Sequence, residues 1–360
     1  MAHNTDETHE TLIAPLFDGP LDVVGDVHGE IEALEALLTE LGYDAEGQHP
    51  DNRRLVFLGD LVDRGPDSPA VLLKVKTLVE AGRAQCILGN HELNLLRDDA
   101  RPDNSWWTAP EQPTRHPEAG VSEADKPGLK AFIKSLPLAL ERDDLRVVHA
   151  CWHQRSVDKL KQWDLPDPDI ADLYEHYLFQ IREQHAENRT LNQVRREWNE
   201  FAPRLHDPDW EAVILPIKSQ FDARVQMDNP VAVLTSGEET PAREPFWAGG
   251  KWRMVSRVKW WQHYKDDVPV IIGHYWRRFS EAQLALKDKH GPDLFAGLEP
   301  HHWMGPNDNV YCVDFSVGAR PTQRAANQPL TICKLAAVRV PEWEVVHDDG
   351  ERMKIIGACP

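Results

Sequence analysis

Over the first 92 positions, the hydrophobic residues form short runs separated by stretches in which they recur every three or four positions. The runs predict strands, and the spaced stretches predict amphipathic helices. Gly42 and Gly82 are expected to end the two helices. Ser68 is expected to cap the second helix, with Pro69 at its first position. The predicted order is strand Leu21–Val24, helix 31–41, strand Leu55–Leu58, helix 69–81 and strand Cys86–Leu88.

This order, with its short loops, requires right-handed crossovers and a mostly parallel sheet, so the predicted fold class is α/β. Residues 98–128 are rich in Pro, Asp and Glu and are expected to be a loop. A hairpin is expected across Asp143 and Asp144, before the strand Leu145–Val148. Later strands are predicted at Val268–Ile272, Val310–Asp314, Leu330–Leu335 and Val338–Val340.

The middle of the chain has a different character, and this predicts the domain organisation. Residues 152–230 are polar and charge-dense, and their hydrophobic residues follow helical spacing. We therefore expect residues 1–150 to form the first half of one core and 151–245 a mostly helical insertion or cap. The second half of the same core is expected over residues 246–360.

Composition narrows the class of protein. The chain has 360 residues, 41% of them hydrophobic and 28% charged, as in soluble globular proteins. A net charge of −19 argues against a broad nucleic-acid surface. We expect no membrane segment and a cytoplasmic location, because no hydrophobic run approaches membrane length and the first 20 residues lack Lys and Arg. The five cysteines form no C-x-x-C pair and are expected to be reduced thiols.

Candidate metal ligands follow the predicted strands. A single Asp-x-His at a strand end is more often part of a turn, but here such residues recur at five strand ends. Because the carboxyl ends of strands in an α/β sheet converge, these side chains should lie together. Six oxygen and imidazole donors exceed the needs of one tetrahedral ion and suit two divalent ions. The predicted ligands are Asp26, His28, Asp60, Asn90, His149 and His274.

Three of these strand ends also carry a family resemblance. Residues 25–29 read GDVHG, residues 59–65 read GDLVDRG, and residues 89–92 read GNHE. Together they resemble the three-part signature of the calcineurin-like metallophosphoesterases, in particular its phosphoprotein-phosphatase branch. That branch also includes diadenosine tetraphosphatases and the phosphatase domain of bacterial polynucleotide kinase-phosphatases. The resemblance implies a core of two packed sheets flanked by helices, here with the helical insertion.

The resemblance also implies a role for each matched residue. Asp26 and His28 would bind the first metal, Asp60 would bridge, and Asn90, His149 and His274 would bind the second. His91 would protonate the leaving group, oriented by Asp63, and Arg64 would hold the substrate phosphate. Mixed imidazole, carboxylate and amide ligands favour Mn, with Fe or Zn as alternatives.

The sequence departs from the family pattern after His149, where eukaryotic members have Gly-Gly and this chain has Ala150 and Cys151. The second phosphate-binding arginine of those enzymes has no alignable counterpart. Residues 242–278 hold eight basic residues against three acidic ones, and several of them are candidates for that role. The candidates are Arg243, Lys251, Arg253 and Arg257, of which Arg253 and Arg257 are taken as the substrate-binding prediction.

The predicted function is hydrolysis of phosphate monoesters by a hydroxide that bridges two metal ions, most like a serine/threonine phosphoprotein phosphatase. Dinucleoside polyphosphate hydrolysis and RNA-end dephosphorylation are enzymatic alternatives, and a catalytically silent interaction scaffold is the non-enzymatic one. The expected partner is a phosphorylated protein or nucleotide, without extended nucleic-acid binding. The sequence leaves the oligomeric state open.

Overall fold

A computed structural model describes residues 12–108, 118–163, 169–187, 190–248, 250–277 and 293–357. Its strands form two large sheets and a separate hairpin. They are β1 Ile13–Pro15, β2 Leu21–Val24, β3 Arg54–Phe57, β4 Ala84–Cys86, β5 Ala139–Arg142, β6 Leu145–Val148, β7 Glu239–Ala248, β8 Lys251–Arg257, β9 Val270–Ile272, β10 Val310–Cys312, β11 Ala336–Val340, β12 Glu344–His347 and β13 Arg352–Lys354.

The first sheet has the strand order β1-β5-β6-β9-β10, and the second has the order β13-β12-β11-β2-β3-β4. In the second sheet β2, β3 and β4 are parallel, as predicted from the opening unit, whereas β11 pairs antiparallel with β2. In the first sheet β6, β9 and β10 are parallel, and β5 and β6 form the expected hairpin. The carboxyl ends of the parallel strands carry all the predicted metal ligands.

The two sheets pack face to face over one apolar layer, in which Val23 and Val56 of one sheet meet Val147 and Ile271 of the other. A larger apolar cluster fills the space between the sheets and the flanking helices. The predicted fold, an α/β core of two sheets flanked by helices, is confirmed.

Helices cover the outer faces of the sheets and build the middle of the chain. The first helix buries its apolar stripe, including Leu34, Leu37 and Leu41, and ends at Gly42, where φ is 95°. Burial of this stripe explains why the spacing predicted the helix. The helices are α1 Ile31–Leu41, α2 Ser68–Glu80, α3 Asn90–Leu96, α4 Ser105–Thr108, α5 Lys126–Lys134, α6 Gln154–Lys161, α7 Ile170–Glu187, α8 Thr190–Phe201, α9 Pro216–Asp228, α10 Pro230–Ser236 and α11 Arg320–Ala325.

Two local predictions are wrong. Asp67, not Ser68, caps α2, because its carboxylate accepts from the amide of Ala70 at 2.9 Å. The Ser68 hydroxyl instead accepts from the amide of Asp63 at 2.9 Å. The predicted strand Leu330–Leu335 is absent: residues 330–332 form a 3₁₀ turn, and β11, which contains the predicted strand Val338–Val340, begins at Ala336. Hydrophobic runs this short do not distinguish a turn from a strand.

The described residues between 152 and 236 are largely helical and are followed by the β7–β8 hairpin, which contacts α9. The predicted boundary between residues 245 and 246 falls inside β7, and the division into three segments stays a prediction. Cys86, Cys151 and Cys312 are buried free thiols, Cys333 is also buried, and Cys359 lies outside the described residues. In the described part of the chain, no helix is both long enough and apolar enough to cross a bilayer.

Candidate metal centre

The predicted ligands meet in a buried crevice at the carboxyl ends of the strands. Loops that come from different strands approach each other more closely here than side chains would allow. A Cβ at Gly59, where φ is 84°, would lie 2.3 Å from the amide nitrogen of Gly89. A Cβ at Gly273 would lie 2.1 Å from Asp26 Oδ1. Glycine at these two positions therefore brings the ligand-bearing loops together.

The backbone of the crevice is strained. Positive φ values are uncommon outside glycine and cost free energy, and they cluster at functional sites. Five predicted site residues have them: His28 at 47°, Asp60 at 47°, Asp63 at 72°, Arg64 at 77° and His274 at 67°. Strain concentrated on these residues indicates that the fold holds them in a fixed arrangement.

Asp60 occupies the middle of the ligand set. Its Oδ2 lies 3.9 Å from Nε2 of His28 and 3.4 Å from Nε2 of His149. Two groups of potential ligand atoms share this carboxylate, each with its atoms within 4.8 Å of one another. One group is His28, Asp60 and His91, and the other is Asp60, His149 and His274. A carboxylate common to two groups has the position expected of a bridging ligand.

Asp26 lies beside the first group, with Oδ2 3.9 Å from Nε2 of His28. It also accepts from the amide of His274. Burial raises the pKa of Asp26 well above its ordinary value, and the neighbouring Asp314 carboxylate raises it further. A buried carboxylate whose pKa is raised in this way needs a compensating cation to remain ionised.

Hydrogen bonds orient two of the imidazoles. Nδ1 of His28 donates to the carbonyl of Val62 at 3.0 Å, and Nδ1 of His149 donates to the carbonyl of Leu58 at 2.6 Å. Because a carbonyl only accepts, Nδ1 carries a proton in both rings, and Nε2 is the nitrogen that faces the crevice. This is how proteins fix the ring of a metal-binding histidine.

The donor set fits divalent metal ions. Among the described residues, three buried ligand atoms have no hydrogen-bond partner: Asn90 Oδ1, His149 Nε2 and His274 Nε2. A buried polar atom without a partner costs free energy, and a bound cation removes that cost. These three atoms belong to the residues that the family resemblance gives to the second metal.

His91, the predicted general acid, and Asp63, which is predicted to orient it, lie beside the metal ligands. Nδ1 of His91 donates to Oδ2 of Asp63 at 2.5 Å, which directs Nε2 of His91 into the crevice. The other oxygen of Asp63 accepts from the indole Nε1 of Trp106 at 2.7 Å. Below them, the Ser68 hydroxyl donates to Glu118 at 2.8 Å, and burial raises the pKa of Glu118 to about 8.

Arg64 spans the mouth of the crevice. Its guanidinium donates to Nε2 of His28 at 2.8 Å and to Nε2 of His91 at 3.1 Å, and it lies over the ring of Trp276 at 4.9 Å. A metal ion on His28 would need the lone pair that accepts from Arg64 here. Arg64 would therefore have to give up its hydrogen bond to His28 if that imidazole held a metal ion.

The predicted substrate-binding residues lie farther out, on strand β8. Arg257 is exposed, and its guanidinium lies 5.6 Å over the ring of Tyr275, which follows His274. Arg253 is half-buried, and its Nε donates to the carbonyl of Ala248 at 3.1 Å. Neither residue contacts the ligand groups directly.

Sequence reasoning missed two residues of the site. Buried Glu92 accepts from three backbone amides, those of Asp60, Leu61 and Gly89, and so ties two ligand loops together. Its position as the last residue of the GNHE motif could have indicated that it supports the ligand loops. Trp106 gave no signal, because it lies in the region expected to be a loop.

The crevice of carboxylates and imidazoles between two sheets is typical of metal-dependent hydrolases. The sequence model of the family named calcineurin-like phosphoesterase matches residues 19–215, more than half of the chain. The chain therefore belongs to the calcineurin-like phosphoesterase family. The predicted family and enzyme class, phosphoester hydrolases, are confirmed.

Curated relatives share shorter stretches. The bis(5'-nucleosyl)-tetraphosphatase PrpE (asymmetrical) of Oceanobacillus iheyensis is 49% identical over 80 residues, 21% of this chain and 32% of that protein. The symmetrical bis(5'-nucleosyl)-tetraphosphatase of Pectobacterium carotovorum is 34% identical over 149 residues, 41% of this chain and 47% of that protein. The chain thus spans from a third to about half the length of these two relatives.

A solved structure titled as a cold-active protein-tyrosine phosphatase of a Shewanella species aligns with 96% of this chain and 84% of its own. Its TM-score is 0.48 at 13% sequence identity.

Proposed function

We propose that the chain hydrolyses phosphoesters with two divalent metal ions. The observation that carries this proposal is the position of Asp60, whose buried carboxylate is shared by two groups of ligand atoms. Asp26, His28 and Asp60 would hold one ion. Asp60, Asn90, His149 and His274 would hold the other. When bound, the two ions would activate water at neutral pH and offset the charge of the buried carboxylates.

The chain's own side chains supply the rest of the chemistry. Arg64 is a guanidinium at the mouth of the crevice, suited to bind two oxygens of a phosphate group and to stabilise charge that develops on them. His91 would give a proton from Nε2 to the leaving oxygen. Asp63 holds the ring through Nδ1 and stabilises its protonated form, as expected for a general acid.

We propose dinucleoside polyphosphates as the substrate class. The curated relatives reported above carry the name bis(5'-nucleosyl)-tetraphosphatase. Phosphoproteins and RNA ends stay predicted alternative substrates, and the substrate panel described next tests them.

A substrate panel tests the function. Protein loaded with Mn²⁺ should hydrolyse an activated aryl phosphate and diadenosine tetraphosphate, and protein treated with a chelator should hydrolyse neither. A phosphoserine peptide and a 2′,3′-cyclic nucleotide complete the panel. Absence of turnover of every compound after metal loading would contradict catalysis and favour the silent scaffold.

The Asp60→Asn variant tests the shared ligand. Removal of its charge should lower turnover of the aryl phosphate below the detection limit and reduce the bound metal, measured by elemental analysis, from two ions toward one or none. Asp51→Asn, which changes an exposed carboxylate, is the matched control and should retain both the turnover and the metal content of the wild type. Full metal content in the Asp60 variant would show that Asp60 is not a ligand.

A further inference from the structure

Asp63 has a backbone conformation that most residues avoid, and three hydrogen bonds hold it there. Its φ of 72° lies in the left-handed region, so its surroundings must fix it. One side-chain oxygen accepts from His91 and the other from Trp106. The backbone amide of Asp63 donates to the hydroxyl of Ser68 at 2.9 Å. Because Asp63 is buried, its amide depends on that hydroxyl as a partner.

The Ser68 hydroxyl connects Asp63 to Glu118. An amide only donates, so the Ser68 oxygen accepts from Asp63, and the single hydrogen of the hydroxyl is given to Glu118 at 2.8 Å. Ser68 is completely buried, and a Cβ at Gly29 would lie 2.9 Å from its oxygen, so the side chain has little room to turn. The two hydrogen bonds therefore form one chain from Glu118 to the backbone of Asp63.

The short segment 118–121 is fixed to two neighbouring parts of the site. The amide of Ala119 donates to the carbonyl of Pro66 at 2.8 Å, and the amide of Val121 donates to the carbonyl of Trp106 at 3.0 Å. The side chain of Val121 is buried in the larger apolar cluster. The segment is therefore held both against the loop that follows the second motif and against helix α4.

Glu118 is half-buried and lies near other carboxylates. Burial raises its pKa to about 8; the hydrogen bond from Ser68 opposes this shift, and the charges of Asp63, Asp103 and Asp67 add to it. The side chain is therefore mostly neutral at pH 7, and its carbonyl oxygen still accepts a hydrogen bond. Glutamine, a neutral side chain of the same shape, reproduces both the charge and the acceptor.

We propose that Glu118 is a positioning residue for the general acid. Through Ser68 it fixes the backbone of Asp63, and Asp63 in turn fixes the ring of His91. This inference rests on the proposed function, in which His91 protonates the leaving oxygen. It deepens that function by giving a role to a residue in the region that the sequence predicts to be a loop. Loss of the Glu118 acceptor should therefore slow proton transfer without weakening substrate binding.

Two variants of Glu118 that differ only in the acceptor test this role. Glu118→Met keeps the length of the side chain and removes the acceptor, so kcat on an alkyl phosphate should fall about tenfold, as for loss of one hydrogen bond. The fall on an activated aryl phosphate should be much smaller, and KM should not change for either ester. Glu118→Gln keeps the acceptor and should restore kcat to the wild-type value. Glu123→Met, the same change at an exposed glutamate, is the control and should alter neither constant.

Ser68→Ala tests the connection between Glu118 and Asp63. It should lower kcat on the alkyl phosphate by about tenfold or more, and adding Glu118→Met should cause no further loss, because both changes break the same chain. Additive losses, equal losses in the Met and Gln variants of Glu118, or equal losses on the two esters would overturn the inference. If Ser68→Ala does not fold, the comparison of the two Glu118 variants decides the question.

A readout without substrate separates this inference from the proposed function. The hydrogen bond from Nδ1 of His91 to Asp63 is 2.5 Å long, and a proton in so short a bond gives a low-field ¹H NMR resonance. In the metal-free protein this resonance is assigned by its absence in His91→Asn. Glu118→Met should move it upfield, and Glu118→Gln should leave it in place. An unmoved resonance in Glu118→Met would overturn the inference, whereas absence of turnover by the wild type would contradict the proposed function and leave this readout unaffected.

Discussion

His91 is the side chain on which proton transfer depends in the proposed reaction. Its ring is fixed by Asp63 through Nδ1, and its Nε2 faces the crevice, where it is hydrogen-bonded to Arg64. A general acid matters most when the leaving oxygen is a strong base, because a good leaving group departs without a proton. The dependence of rate on the leaving group therefore reports on this residue.

We expect His91→Asn to lower kcat on an alkyl phosphate by about 100-fold or more, and on an activated aryl phosphate by much less. The measurement is kcat across a series of esters with leaving groups of increasing basicity. Equal losses across the series would exclude His91 as the general acid.

Trp106 is predicted to act through Asp63. Its indole N–H is the donor to Asp63 Oδ1 at 2.7 Å, and the ring is fully buried. Trp106→Phe replaces the indole with a smaller aromatic ring that has no N–H donor, so Asp63 loses a hydrogen bond worth about 1.5–3 kcal/mol. We expect kcat to fall about tenfold on poor leaving groups and less on good ones.

The adjacent Trp107 is the control for that variant. It is also buried and packs against Trp106 with ring centroids 5.5 Å apart, but it makes no contact with Asp63. Trp107→Phe should affect stability without changing the dependence of rate on the leaving group. The same change in both variants would mean that Trp106 only contributes packing.

At the scale of elements, helix α10 links the insertion to the metal centre. Its residues 230–235 are all buried, and the carbonyl of Leu234 accepts from the amide of Ala150, which follows the ligand His149. Asn229 caps this helix: its Oδ1 accepts from the amides of Val231 and Ala232. The insertion therefore supports a ligand loop.

We expect Asn229→Ala to lower the free energy of unfolding by about 1–2 kcal/mol, the usual value of an N-cap. Urea titration of the metal-free protein measures it. Asn199→Ala, at an exposed position of α8, is the control and should be close to neutral. A neutral Asn229 variant would show that α10 does not depend on this cap.

At the scale of the whole molecule, a buried histidine makes stability depend on pH. His347 is fully buried, with its ring 4.9 Å from that of Phe315. Burial lowers its pKa to about 3, and the charge of Lys334 contributes, whereas Asp349 opposes the shift. In the unfolded chain a histidine titrates near 6.5, so the unfolded state takes up the proton first as pH falls. Stability is therefore retained above about pH 6.5 and lost as pH falls from there toward 3.

We expect His347 to account for a loss of about 2 kcal/mol between pH 7 and pH 5. The measurement is the free energy of unfolding at both pH values for the wild type and for His347→Gln, whose loss should be smaller by this amount. His263→Gln, at an exposed position, is the control. Equal pH dependence in all three proteins would contradict the assignment.

The sequence by itself determined the early strands and helices and the candidate metal ligands that follow the strands. Hydrophobic spacing identified β2, α1 and α2, and the end of each early strand coincided with a ligand-bearing motif. These features depend on neighbours within a few positions, which a sequence displays directly. The family could also be predicted, because its motifs are local.

Only the tertiary structure decided which residues meet across long separations. Asp60 lies next to His149, Trp106 reaches back to Asp63, and Arg257 stands one aromatic ring from His274. None of these contacts follows from spacing, because the loops and the insertion between the partners have no fixed length or direction.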